Sequence, residues 1–87
     1  MSLLETAHKI VYERSQEKDR QYGPFDKGME KAANIATEIL NKKITASDIC
    51  IIMASLKLSR ESYYYKEDNI LDLLSYMEMY NQLKKAK

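Results

Sequence analysis

Two lines of charged side chains and a skewed set of tyrosines carry what chemistry this chain can do. Lys57, Arg60 and Glu61 stand three and four residues apart, and Asp68, Asp72 and Tyr76 repeat at i, i+4 and i+8. On helices each spacing gathers its residues on one face. Arg60 falls among Ile49, Ile52, Met53, Leu56 and Tyr63, which share a face if residues 44–64 are helical. A guanidinium in an apolar stripe must be paired or must await a ligand, because burying a lone charge is costly. The paired reading joins Arg60 to Asp68 and Asp72 and fixes the register of a hairpin. The other reading makes Arg60 part of an anion site.

The aromatic set is seven Tyr, one Phe and no Trp. Tyr12, Tyr22, Tyr63, Tyr64 and Tyr65 lie at or near the ends of helical stretches, beside Arg14, Lys18, Arg20, Lys57 and Lys66. Flat faces that stack on a base, set next to cations that hold phosphate, are what a nucleotide pocket needs. Tyr12 or Tyr22 would stack, and Arg14, Arg20, Lys57 or Lys66, with Arg60, would hold phosphate. Amphipathic tyrosines at a helix edge or an oligomer seam fit the same pattern.

The expected site has no catalytic residue, no metal and no cofactor. His8 is the sole histidine, and there is no Ser, His and Asp set, glycine-rich phosphate loop or Cys/His zinc spacing. Glu13 with Glu17, and Asp68 with Asp72, are pairs that could each hold one edge of Mg²⁺, although helical carboxylates at i+4 are most often solvated or paired.

These residues need helices to position them. Ser2 with Glu5 is a capping-box pattern, followed by Leu3, Leu4, Ala7, Ile10 and Val11 at helical spacing. The pattern turns polar from Tyr12 through Arg20, so the second half of the first helix projects from the core or frays. Tyr22-Gly23-Pro24 is a stop. A second helix begins near Asp26, runs along Met29, Ala32, Ala33, Ala36, Ile39 and Leu40, and takes Asn41, Lys42 and Lys43 as its last turn. Thr45 and Asp48 form another capping box and open the third helix, which adds Ile51 and Leu58 opposite its main stripe. A fourth helix from about Asp68 to Lys84 takes Ile70, Leu73, Leu74, Met77 and Tyr80 as its core face, with Leu71 and Met79 outside. The short connection at 64–67 makes the third and fourth helices an antiparallel hairpin. The expected fold is all-α, a compact bundle of about four helices in a single domain spanning residues 1–87.

Composition narrows the classes. At 87 residues one core supplies only a few kcal/mol, and the spare apolar groups on the two long helices point to a homo-oligomer. Fourteen basic against thirteen acidic residues give a net charge of +1, which is no footprint for duplex nucleic acid. The single Cys50 has no partner for an internal disulfide and reads as a small core hydrophobe in a reducing compartment. No apolar run approaches about 18 residues and no signal-peptide core opens the chain, so no membrane association and a soluble intracellular protein are expected.

Arg20-x-Tyr22-Gly23, Thr45-x-x-Asp48, Leu56-Lys57-Leu58-Ser59-Arg60 and Asp68-Asn69-x-x-Asp72-x-x-x-Tyr76 resemble a family of small all-helical proteins of unknown function encoded by tailed phages. The resemblance covers about residues 4–80 and implies a phage protein acting in the cytoplasm of the infected bacterial host. A more remote likeness is to the all-α nucleoside triphosphate pyrophosphohydrolases, whose helices bring Glu-x-x-Glu and Glu-x-x-Asp pairs to Mg²⁺. This chain has no Glu-x-x-Glu, and Asp68 and Asp72 stand four apart rather than three. Small helical phage proteins that sequester cyclic nucleotide signals of bacterial immunity are also similar in size, with His8-Lys9-Ile10 a faint match to one group. The resulting expectation is a phage-encoded homo-oligomer that binds and sequesters a nucleotide-type small molecule, such as a cyclic nucleotide signal of anti-phage immunity, without catalysis. The alternatives are a Mg²⁺-dependent nucleotide pyrophosphohydrolase using Asp68, Asp72, Glu61 and Glu13, and an interaction module that inhibits a host factor.

Overall fold

The computed structural model describes residues 2–13 and 24–85. Those residues form four helices and no strand: α1 (Leu3–Tyr12), α2 (Phe25–Leu40), α3 (Ala46–Tyr63) and α4 (Glu67–Lys85). The helix starts are written in local chemistry. Ser2 Oγ accepts from the Glu5 amide at 3.1 Å, and Thr45 and Asp48 complete a reciprocal box, with bonds of 3.1 and 2.9 Å. α2 starts after Pro24 with no side-chain cap, one residue earlier than its sequence pattern predicts.

The end of α2 departs from expectation. Asn41 adopts a left-handed conformation (φ 56°, ψ 35°) and its N–H returns to the Thr37 carbonyl at 3.0 Å, which stops the helix at Leu40. Asparagine tolerates this region better than most residues, so Lys42 and Lys43 fall outside the helix. Thr37 Oγ1 then donates to the Ile44 carbonyl at 3.1 Å and accepts from the Ile44 amide at 2.8 Å, tying the α2–α3 connection to α2.

The α3–α4 hairpin is the centre of the bundle, and it is the expected antiparallel pair. α1 packs on α4, and α2 packs mainly on α3 with a smaller contact on α4. Phe25 meets Tyr76 edge to face, with ring centroids 5.6 Å apart. No described helix is long and apolar enough to cross a membrane.

The core lies on the predicted faces at Ala7 and Ala33 and departs from them on α3 and at Met79 of α4. Its buried apolar residues are Ala7, Ala33, Cys50, Ala54 and Met79, joined by Ser47, Asn69 and Ser75. On α3 the inward face is the small one, Ser47, Cys50 and Ala54, and it carries Lys57 and Glu61 at its far end. Ile52, Leu56 and Tyr63, expected inside, are exposed by 53%, 39% and 89%. On α4 Met79 is inside and Met77 outside, the reverse of the expected assignment. Small residues let helices approach closely, and Ser47 and Ser75 can be buried because their hydroxyls are bonded locally, to Thr45 Oγ1 at 3.0 Å and to the Leu71 carbonyl at 2.9 Å.

Candidate functional site

A cleft of about 400 Å³ opens between α1 and α4, lined by Leu4, Ala7, His8, Leu74, Met77 and Glu78. Its position follows from α1, whose small Ala7 faces α4 while the next turn carries rings. His8 and Tyr12, four residues apart, bring their ring centroids to 4.7 Å with planes tilted by 47°. The Tyr12 hydroxyl donates to Glu78 Oε1 at 2.8 Å, a contact across 66 residues of sequence that fastens the end of α1 to α4. Gln82, one turn further along α4, donates its amide to the same oxygen at 3.3 Å.

The electrostatics follow from these bonds. The Tyr12 hydrogen bond, with that from Gln82, holds the Glu78 carboxyl below its ordinary range, so it is ionised at neutral pH. Partial burial, then the neighbouring Glu78, pushes the Tyr12 hydroxyl up, so it remains a donor. The lining is therefore mostly apolar and includes the His8 ring and the anionic Glu78 carboxylate. Such a cleft suits a flat, partly apolar group with N–H donors.

Of the residues expected to bind ligand, none lines this cleft; Tyr12 adjoins it through its contacts with Glu78 and His8, while Arg14, Arg20 and Tyr22 lie outside the described residues. Lys57, Arg60 and Lys66 belong to the hairpin. Asp68 lies in the first turn of α4, ten residues before Glu78, a distance of about 15 Å along the helix. Helical spacing assigns a residue to a face and says nothing about which end of the bundle it reaches, and the expected constellation divides for that reason.

The expected ion pair is also reassigned. Asp72 Oδ2 lies 3.0 Å from the Lys57 ammonium. Arg60 is exposed, as is Asp68, and neither forms an ion pair with a described residue. The reason is the rotation of α3: Lys57 lies on the inward face with Cys50 and Ala54, whereas Arg60 shares the outer side with Leu56. Glu61 is engaged too, accepting from the Lys66 amide at 3.0 Å and from Asn69 Nδ2 at 3.3 Å. Lys66, exposed in the connection, thus contributes its backbone to the turn. Next to it Tyr63, Tyr64 and Tyr65 are exposed by 89%, 73% and 67%. Among the described residues no three His, Cys, Asp or Glu side chains are grouped to hold a metal ion.

Sequence reasoning missed Glu78 and the apolar wall of Leu4, Leu74 and Met77. The i, i+4 relation of Glu78 to Leu74 and to Gln82 is visible in the sequence, but nothing local links it to Tyr12. Cys50 is fully buried, and burial pushes its thiol up to about 11, which suits a packing residue.

A family model described as a domain of unknown function (DUF6378) matches residues 2–84. Comparison with curated proteins and with solved structures gave no match.

Proposed function

We propose that this chain, which belongs to the DUF6378 family, binds a nucleotide-type small molecule in the α1–α4 cleft and holds it without turnover. The observation that carries this reading is the Tyr12–Glu78 hydrogen bond of 2.8 Å beside a cleft of about 400 Å³, with the His8 ring against Tyr12. A base stacks at the His8 and Tyr12 edge, and the Glu78 carboxylate accepts from its N–H groups. Arg14 and Arg20 follow Tyr12 closely in sequence and are the cations assigned to phosphate. The resemblance to phage proteins favours a cyclic nucleotide signal of bacterial anti-phage immunity as the ligand, bound in the host cytoplasm. Binding is preferred to Mg²⁺-dependent hydrolysis because two of the carboxylates that hydrolysis needs are engaged, Asp72 with Lys57 and Glu61 with the hairpin turn.

Calorimetry against nucleoside mono- and triphosphates and cyclic di- and trinucleotides tests this directly. At least one tight ligand is expected, recovered intact after denaturation, and Glu78→Gln should weaken it by about ten-fold, the worth of one charge-assisted hydrogen bond. No binding across the panel overturns the reading. Mg²⁺-dependent consumption that stops on Asp68→Ala replaces it with the pyrophosphohydrolase.

A further inference from the structure

Ile51, Ile52, Leu56 and Leu58 of α3 are exposed, and the order of charged and aliphatic residues along the helix is informative. Asp48, Ile52, Leu56 and Arg60 succeed one another at four-residue intervals, which makes them a single ridge on the helix surface. All four are exposed, and the ridge carries its carboxylate in the first turn and its guanidinium in the last. Turned end for end, the sequence acid, aliphatic, aliphatic, base becomes its own complement.

We propose that this ridge is the seam of a two-fold homodimer in which α3 packs antiparallel against the same helix of a second copy. With the axis midway between Ile52 and Leu56, Ile52 meets the partner's Leu56 and Asp48 meets the partner's Arg60. Each contact is then made twice, as an isologous interface requires. The same register sets Tyr63, exposed by 89% in one chain, over the partner's Thr45 at the start of α3.

A second copy fits this face because one register satisfies both the aliphatic and the charged pairs. The same charges complement the helix dipole within one chain, but their position on one ridge with two aliphatics between them suits self-pairing. Asp48 keeps its capping bond to the Thr45 amide at 2.9 Å, since a carboxylate accepts from more than one donor. Ile52, Leu56 and Tyr63, exposed by 53%, 39% and 89%, lie together on this side of the helix. The buried residues of α3, Ser47, Cys50 and Ala54, are small, while Ile52, Leu56 and Tyr63 stay exposed, as expected of a helix between its own core and a partner.

Sedimentation velocity with charge exchange tests the seam. Wild type is expected to be a dimer at micromolar concentration. Arg60→Glu sets like charges together at both ends and should weaken association by at least about ten-fold, as should Asp48→Lys. Mixing the two variants restores both ion pairs, so a heterodimer near wild-type affinity is expected. The doubly exchanged chain should again form homodimers. A monomeric wild type, a dimer indifferent to Arg60→Glu, or an exchanged pair that stays apart overturns the proposal. Should Asp48→Lys fail to fold for want of its capping box, Arg60→Glu and Leu56→Gln decide alone: both must dissociate the dimer, and a dimer retained in either overturns the seam.

Discussion

The Lys57 ammonium lies 3.0 Å from the Asp72 carboxylate and joins α3 to α4 part-way along their hairpin. The two partners differ in exposure, at 15% for the lysine side chain and 40% for the aspartate, so the cation has given up more of its solvent. The pair is neither a surface bridge nor a fully buried one, and its removal from either side should not cost the same.

Asp72→Ala leaves a mostly covered ammonium without its counter-ion. The expected loss is about 1–2 kcal/mol, between the values typical of exposed pairs and of buried ones. Lys57→Met keeps the apolar stem packed and should lose less than half as much. Urea unfolding of both variants, with Arg60→Ala beside them, measures this. A loss on Arg60→Ala larger than that on Asp72→Ala would return the hairpin cation to Arg60.

Glu61 is a clasp for the hairpin turn, because one carboxylate oxygen serves both the Lys66 amide and the Asn69 side chain. Asn69 is only 8% exposed, so removing its acceptor strands a buried amide. Glu61→Ala should cost about 1–2 kcal/mol and speed hydrogen exchange at Lys66, whereas Glu61→Gln, which keeps a carbonyl oxygen, should recover more than half of the loss. Equal exchange rates at Lys66 in all three proteins would show that the turn holds without the clasp.

The all-helical class, the Ser2 N-cap, the capping box at Thr45 and the α3–α4 hairpin were all legible, because each is encoded within a few residues; at Ser2 the reciprocal bond of a full box is not formed. The inward face of α3 was not. Ile49, Ile52, Met53, Leu56 and Tyr63 outweigh Ser47, Cys50 and Ala54 in any count of apolar size, yet the smaller set allows the close helix approach and takes the core. Arg60 looked informative because of that stripe, and its significance changes with the rotation: it belongs to an outer ridge, and the hairpin cation is Lys57. Of the hydrogen-bonded pair beside the cleft, Tyr12 was among the residues singled out in the sequence and Glu78 was not, since no local spacing joins residues 66 apart.

Cys50 gives an alkaline signature. Its folded thiol is pushed to about 11 by burial, above the roughly 8.5 of an unfolded cysteine, so the protonated form is the one the fold retains. The corresponding stability is fully present below the unfolded value and is lost as pH rises toward the folded one, by about 3 kcal/mol in total. Chemical unfolding between neutral pH and pH 11 should therefore show a steeper decline for wild type than for Cys50→Ala. Aromatic disulfide reagents should label native Cys50 only at the rate of unfolding, and rapid labelling at neutral pH would place the thiol outside the core.

The Tyr12–Glu78 bond should make the docking of α1 respond to pH in both directions. Glu78 is held below the ordinary carboxylate range by Tyr12 and Gln82, so its contribution is present above the unfolded value and lost as pH falls through the lowered folded one. Tyr12 is raised by burial and by Glu78, so its contribution is present below the ordinary tyrosine value of 10.0 and lost as pH rises past it. Between these limits the hydroxyl donates to an ionised carboxylate, and the bond is intact. Amide exchange along Leu3–Tyr12, corrected for intrinsic pH dependence, should thus show a plateau of protection that falls away on the acid and alkaline sides. Tyr12→Phe removes the donor and should lower the plateau and flatten both limbs, while Glu78→Gln should remove the acid limb and keep a weaker neutral bond. If Tyr12→Phe leaves the profile of α1 unchanged, apolar packing around Ala7 alone docks the helix, and the cleft does not depend on this pair for its shape.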